Sequence, residues 1–267
     1  MDRKEVKMNW KYTFGVLIAI PLLPLLYVQG RKVKKRVPDL PEAASPSGIS
    51  VPESIARDPM QLIILGESTM AGVGVNSHGE GFAGALARDL SEKLQCQIDW
   101  KVYAKSGYTA KDVTEKILPE IKEDSPNLIV IGLGGNDSFD LKSPAGWRRD
   151  IVLLINTLKQ RFHSVPLVFA NMPPIKEFPA FTPLIRFILG NLVEILGEEL
   201  HRVVKKFDSV YYQNQVITLE EWMQSIHKEV KPSDFFSDGV HPSKLTYQTW
   251  AKDLGELITR EVIPFVK

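Results

Sequence analysis

The sequence predicts an α/β protein: a three-layer α/β/α sandwich around a central, mostly parallel five-stranded sheet, preceded by one N-terminal transmembrane helix. Three observations carry this expectation. Short, wholly apolar runs recur along the chain, segments of helical period separate them, and the first thirty residues hold an almost uncharged apolar stretch between basic flanks. Regular alternation of strand and helix favours a parallel sheet covered on both faces, because right-handed crossovers lay helices against it.

Each element has its own signal. Residues 61–65 (QLIIL) form a continuous apolar run of strand length, as a strand buried on both faces requires. Residues 82–94 then place Phe82, Leu86, Leu90 and Leu94 four apart, which is one face of a helix. A second strand is expected at 98–104 (IDWKVYA) and a helix over 110–121. The turn signal Ser125-Pro126-Asn127 precedes a third strand at 128–133 (LIVIGL). Ser143-Pro144 supplies an N-cap and a first-turn proline for a helix through Trp147, Ile151, Leu154, Ile155 and Leu158. A fourth strand at 167–170 ends before Pro173-Pro174. A long amphipathic stretch over 183–207 leads to a short fifth strand at 210–212. Ser243 opens the last helix, through Tyr247, Trp250, Leu254 and Ile258.

The N-terminal stretch, residues 13–28 (TFGVLIAIPLLPLLYV), lies between Lys7 and Lys11 on one side and Arg31, Lys32, Lys34, Lys35 and Arg36 on the other. Residues 12–29 would span roughly 26 to 28 Å as a helix, just the thickness of a hydrocarbon core, with Trp10, Tyr12 and Tyr27 suited to the interfaces. Pro21 and Pro24 are tolerated in that setting. A cleaved signal peptide is the rival, but Gln29-Gly30-Arg31-Lys32 lacks the small residues of a cleavage site. The expected organisation is therefore a basic tail (1–11), a transmembrane anchor (12–29), a basic then Pro-rich linker (30–58) and one catalytic domain (59–267). This makes a single-pass protein of the cell (inner) membrane. Basic residues flank the apolar run on both sides, so the side that carries the domain stays undecided.

Composition narrows the function. Hydrophobic residues at 44% and charged residues at 24% belong to a chain that buries a core. A net charge of +1 lacks the electrostatic footprint of a nucleic-acid binder. The single cysteine, Cys96, excludes an internal disulfide and a structural zinc staple.

Three loops leaving expected strand ends carry chemistry. The first is Gly66-Glu67-Ser68-Thr69-Met70-Ala71-Gly72-Val73-Gly74. Ser68 there is either an N-cap or a nucleophile whose own N–H can face a developing oxyanion. A phosphate loop is excluded, as no Gly-Lys-Ser/Thr follows, and a GxSxG elbow fails at Met70. The second loop carries Gly107 in Lys105-Ser106-Gly107-Tyr108-Thr109, where backbone can approach a ligand or simply turn. The third is Gly134-Gly135-Asn136-Asp137-Ser138, whose Asn136 amide is either a turn residue or a neutral oxyanion donor. Before the last helix, Asp238 and His241 stand three apart in Ser237-Asp238-Gly239-Val240-His241-Pro242-Ser243. That spacing suits a helix-capping loop, or a carboxylate that orients an imidazole base. No carboxylate or histidine cluster accompanies them, so no metal is expected, nor any cofactor. His78, His163, His201 and His227 are expected in surface or capping roles.

Taken together, these blocks resemble the SGNH hydrolases, the superfamily of GDSL lipases and esterases. Gly66-Glu67-Ser68, Gly107, Gly134-Gly135-Asn136-Asp137 and Asp238-Gly239-Val240-His241 stand in that family's order, from about residue 61 to the C-terminus. The resemblance implies Ser68 as nucleophile, His241 as base and Asp238 as its orienter, with Ser68, Gly107 and Asn136 forming the oxyanion hole. It departs at Glu67, where the family carries aspartate. Within the superfamily, the chain looks most like bacterial membrane-tethered members. The implied function is hydrolysis of a carboxylic ester on a lipid, a glycan or a small molecule, at a membrane reached through the N-terminal helix and without nucleic acid. Acyl transfer to a carbohydrate and an inactive membrane-tethered binding module are the alternatives. The segment 172–182 (MPPIKEFPAFT) is expected either as an apolar pocket wall or as an irregular connection.

Overall fold

The computed structural model describes residues 10–226 and 229–263. Residues 1–9 of the expected basic tail and His227 lie outside it. Helix α1 (Trp10–Arg36) comes first. The sheet then forms from β1 (Ser47–Ser50), β2 (Met60–Gly66), β3 (Ile98–Ala104), β4 (Leu128–Gly132), β5 (Leu167–Phe169) and β6 (Val210–Tyr212), in the order β1-β3-β2-β4-β5-β6. All neighbours are parallel except β1, which pairs antiparallel with β3 in the register Ser47 to Lys101 and Ser50 to Ile98.

The expected α/β/α architecture is present, with six strands rather than five among the described residues. The extra strand comes from residues 47–50, in the stretch read as linker. It is an edge strand stabilised by pairing with β3, so its own four residues carry no periodic signal. The inner strands alternate between two cores, as their period of two demands. Leu62, Ile64, Trp100 and Val130 face the layer made with α2 (Phe82–Leu94), α7 (Leu219–Ser225) and α8 (Lys244–Leu257). Ile63, Leu65, Ile129 and Ile131 face the layer made with α5 (Pro144–Phe162) and α6 (Pro183–Val204). Both faces are covered, which is why these strands read as unbroken apolar runs. Each fully buried aliphatic side chain contributes about 1.5–3 kcal/mol.

The predicted caps hold. Ser143 Oγ accepts from Gly146 N at 3.1 Å and Ser243 Oγ from Thr246 N at 3.3 Å, each satisfying an orphan donor of its helix. The helix expected over 110–121 is broken. It opens as α3 (Ala110–Asp112), widens into an i to i+5 turn over Val113–Ile117 and ends in a tight turn, Leu118–Glu120. Pro119 has no N–H to continue the ladder. The Arg161 guanidinium, from the neighbouring α5, donates to the carbonyls of Leu118 and Ile121.

Strand order fixes where ligands gather. The chain leaves β2 for β3 on one side and then returns to β4 on the other, so the crevice at the carboxyl ends of β2 and β4 is the topological switch point. The first and third chemistry-bearing loops open there.

Candidate active site

Ser68 follows β2 in a tight turn over residues 67–74, held by Ala71 N to Glu67 O at 2.8 Å and Val73 N to Ser68 O at 3.1 Å. It is half-buried and stands well before α2 begins at Phe82. Gly107 follows β3 at φ +84°, a conformation that favours glycine, and a side chain there would meet open space. Asn136 lies in α4 (Gly135–Phe139), directly after β4, and its Nδ2 donates to Tyr108 O at 3.0 Å. An amide nitrogen carries two hydrogens, and the same amide also favours the charged form of the Glu67 carboxyl. Among the described residues, neither the Ser68 nor the Gly107 N–H has an intramolecular acceptor.

The Asp238–His241 pair is formed. Asp238 Oδ2 lies 2.7 Å from His241 Nδ1, while Oδ1 accepts the backbone N–H groups of Val240 at 2.9 Å and His241 at 2.7 Å. The Asp238 side chain is buried and the imidazole partly open. Burial pushes the Asp238 carboxyl up, but the His241 ring and the two N–H groups outweigh it and hold it below the usual aspartate value. With Nδ1 committed to the carboxylate, Nε2 is the ring nitrogen left without a partner among the described residues.

The serine and histidine loops pack on each other. A Cβ at Gly74 (φ +106°) would sit 2.4 Å from Pro242 O and 2.6 Å from Ser237 Oγ, and Tyr247 Oη of α8 donates to Val73 O at 2.8 Å. Among the described residues no hydrogen bond joins the Ser68 and His241 side chains.

Glu67 turns its departure from the family pattern into a brace. Oε1 accepts from Gly135 N and Oε2 from Asn136 N, both at 2.8 Å, so the longer side chain reaches from the serine loop to the asparagine loop. Burial pushes its carboxyl up to about 7, with the Asp137 charge acting the same way and the two N–H groups opposing. Asp137, fully buried, accepts from Ala110 N at 3.0 Å and thereby ties the asparagine loop to the start of α3. Its carboxyl is raised to about 6, again mainly by burial. Glu42, in the stretch read as linker, accepts from Ser106 N at 2.7 Å and so steadies the Gly107 loop. Neither the Glu67 nor the Glu42 contact has a local sequence signal beyond Glu67 standing beside the serine.

His78 departs from its expected surface role. It is 4% exposed against the Gly72 turn, and burial pulls its imidazole below the usual value. Segment 172–182 is more ordered than a plain connection. Phe139, Phe181, Phe178 and Phe236 make successive edge-to-face contacts at 5.9, 5.4 and 5.7 Å, and Ala180 N donates to Gly239 O at 3.1 Å. This aromatic seam links α4 with the histidine loop. A 410 Å³ cavity beside it, lined by Met172, Ile175, His201, Tyr212 and Asn214, contains none of the five predicted site residues.

A sequence model described as the GDSL-like lipase/acylhydrolase family matches residues 64–249, most of the chain. The chain belongs to that family. It is thus a hydrolase of the GDSL type, and the family's solved structures share its fold. A lipolytic G-D-S-L family protein of Veillonella parvula superposes with a TM-score of 0.53 at 16% identity, covering 75% of this chain and 99% of its own. Axe2, an acetylxylan esterase of Geobacillus stearothermophilus, gives 0.53 at 15% identity over 76% and 95%. TesA gives 0.52 at 17% over 74% and 97%. Among curated proteins, no match was found.

Proposed function

We propose that this GDSL hydrolase cleaves a carboxylic ester through an acyl-enzyme on Ser68. The observation that carries the reading is the 2.7 Å contact between Asp238 and His241, in a loop packed against the serine turn at Gly74. His241 Nδ1–H donates to Asp238, leaving Nε2 to take the Ser68 proton as Oγ attacks the ester carbonyl. The oxyanion that forms is met by the N–H groups of Ser68 and Gly107 and by the Asn136 amide. His241 then protonates the departing alcohol. Water, activated by the same nitrogen, attacks the acyl carbon and regenerates the serine.

A fluorophosphonate probe tests this directly, because it reacts only with an activated serine. Wild-type protein labels and Ser68→Ala does not. Unlabelled wild type, or equal labelling of both, would sink the reading. A series of p-nitrophenyl esters of increasing chain length assigns the acyl group.

The same reading attaches the enzyme to a membrane through α1, a helix long and apolar enough to cross one. The full chain is expected in the membrane fraction, resistant to high-salt extraction. Recovery in the soluble fraction would remove this part alone.

A further inference from the structure

Helix α1 is not free of the catalytic domain. It runs antiparallel along α6, with Lys11 Nζ 2.8 Å from Glu198 Oε1 at one end and Gln29 bonded to Thr182 Oγ1, the N-cap of α6, at the other. Those ties are about 27 Å apart along the helix. Between them Tyr12, Val16, Ala19, Leu22 and Leu26 form a half-covered stripe at spacings of three and four, and Val33 beyond it is buried. The opposite face, with Leu17, Pro21, Leu25 and Val28, is exposed and apolar. A groove of 660 Å³ between the helices is lined from α6 by Phe187, Ile188 and Ile195.

A helix clamped this way cannot cross a bilayer. Its companion α6 carries Arg186, Glu194, Glu198 and Arg202, and it forms one wall of the hydrolase core. Spanning would draw those charges through hydrocarbon, where they have no water. Lying flat has no such cost. A uniformly apolar helix normally lacks the polar face that an in-plane helix needs. Here α6 half-covers one side of it, and the other side is left to solvent. Arg31, Lys32, Lys34, Lys35 and Arg36 end the helix, suited to anionic headgroups.

We infer that α1 lies in the plane of a lipid surface, docked on α6, with its outer apolar stripe inserted at the headgroup and acyl boundary. The enzyme then rests on the membrane with both ends of α1 on the side of its catalytic domain. This rests on the proposed membrane attachment and is independent of the esterase chemistry.

Single cysteines decide it. In a Cys96→Ala background, Lys11→Cys, Lys34→Cys and Glu120→Cys are placed in turn in the full chain and expressed in cells. Spheroplasts and inverted vesicles are then treated with a membrane-impermeant maleimide. In-plane docking gives all three positions the same response in each preparation. A response at position 11 opposite to the other two establishes a spanning helix and overturns the inference. A Leu17→Cys variant carrying bimane, on vesicles of phosphatidylethanolamine and phosphatidylglycerol, should be quenched by nitroxides at shallow acyl positions. Quenching only at the bilayer centre overturns the inference, as does cross-linking of Leu17→Cys into dimers, which would mean that a second copy covers the stripe. Loss of Ser68 labelling with these topology results intact would remove the esterase reading and leave this one standing.

Discussion

Glu67 holds Asn136 in place through the backbone. Its Oε2 accepts the Asn136 N–H at 2.8 Å while Oε1 accepts that of Gly135, so one buried carboxylate sets the position of the residue whose side chain is proposed to meet the oxyanion. Glu67→Gln can accept only one of the two N–H groups and presents an NH₂ to the other. A buried unsatisfied donor costs about 1–3 kcal/mol, and thermal unfolding of the variant at pH 4, where the wild type keeps its full stability, should show a loss of that order. Its kcat should fall with little change in KM, because the displaced Asn136 acts on the transition state.

The Glu67 carboxyl also makes stability depend on pH. Its folded value of about 7 stands above its ordinary value of 4.5, so the native state holds a proton that the unfolded state releases. The stabilisation is fully present below pH 4.5 and is lost as pH rises through 7, to a total of roughly 3 kcal/mol. Urea unfolding of wild type and Glu67→Gln from pH 4 to 8 measures this. The wild type should lose stability relative to the variant across that window, and parallel curves would count against the assignment.

Asp238→Asn should lower kcat roughly 10²- to 10⁴-fold with the fold retained, since an amide no longer fixes the His241 tautomer. The Asp238 carboxyl is held below its ordinary value, so its stabilising contribution exists above that value and vanishes as pH falls below it. Wild-type and variant stabilities should therefore converge in acid, as followed by circular dichroism.

Asn136→Ala should lower kcat about 10²- to 10³-fold in an ester hydrolysis assay, with KM little changed, as removal of one oxyanion donor does. Fluorophosphonate labelling should slow in parallel. An unchanged rate would exclude Asn136 from the oxyanion hole.

Gly74→Ala probes the contact between the serine and histidine loops. A methyl group there meets Pro242 O and Ser237 Oγ, at a φ of +106° that disfavours any side chain. Backbone strain alone costs on the order of 1–2 kcal/mol. The variant should lose at least that much stability by denaturant unfolding and label with fluorophosphonate at least about tenfold more slowly. Unaltered labelling would mean that the two loops act independently.

By itself the sequence determined whatever depends on neighbours along the chain. The apolar runs of β2 and β4, the four-residue spacing of Phe82 to Leu94, and the caps at Ser143 and Ser243 are local signals, and the folded chain keeps each of them. The Asp238–His241 pair was legible for the same reason, as three residues in one turn bring the groups together. Tertiary structure alone decided the contacts made across the sheet. Ser47–Ser50 becomes a strand because β3 offers its edge, and Glu42 meets Ser106, 64 residues away. Glu67 finds N–H groups 68 and 69 residues on, and α1 finds α6. Such partners leave no periodic trace in the chain, because what selects them is the geometry of a finished sheet and the need of each buried polar group for a partner.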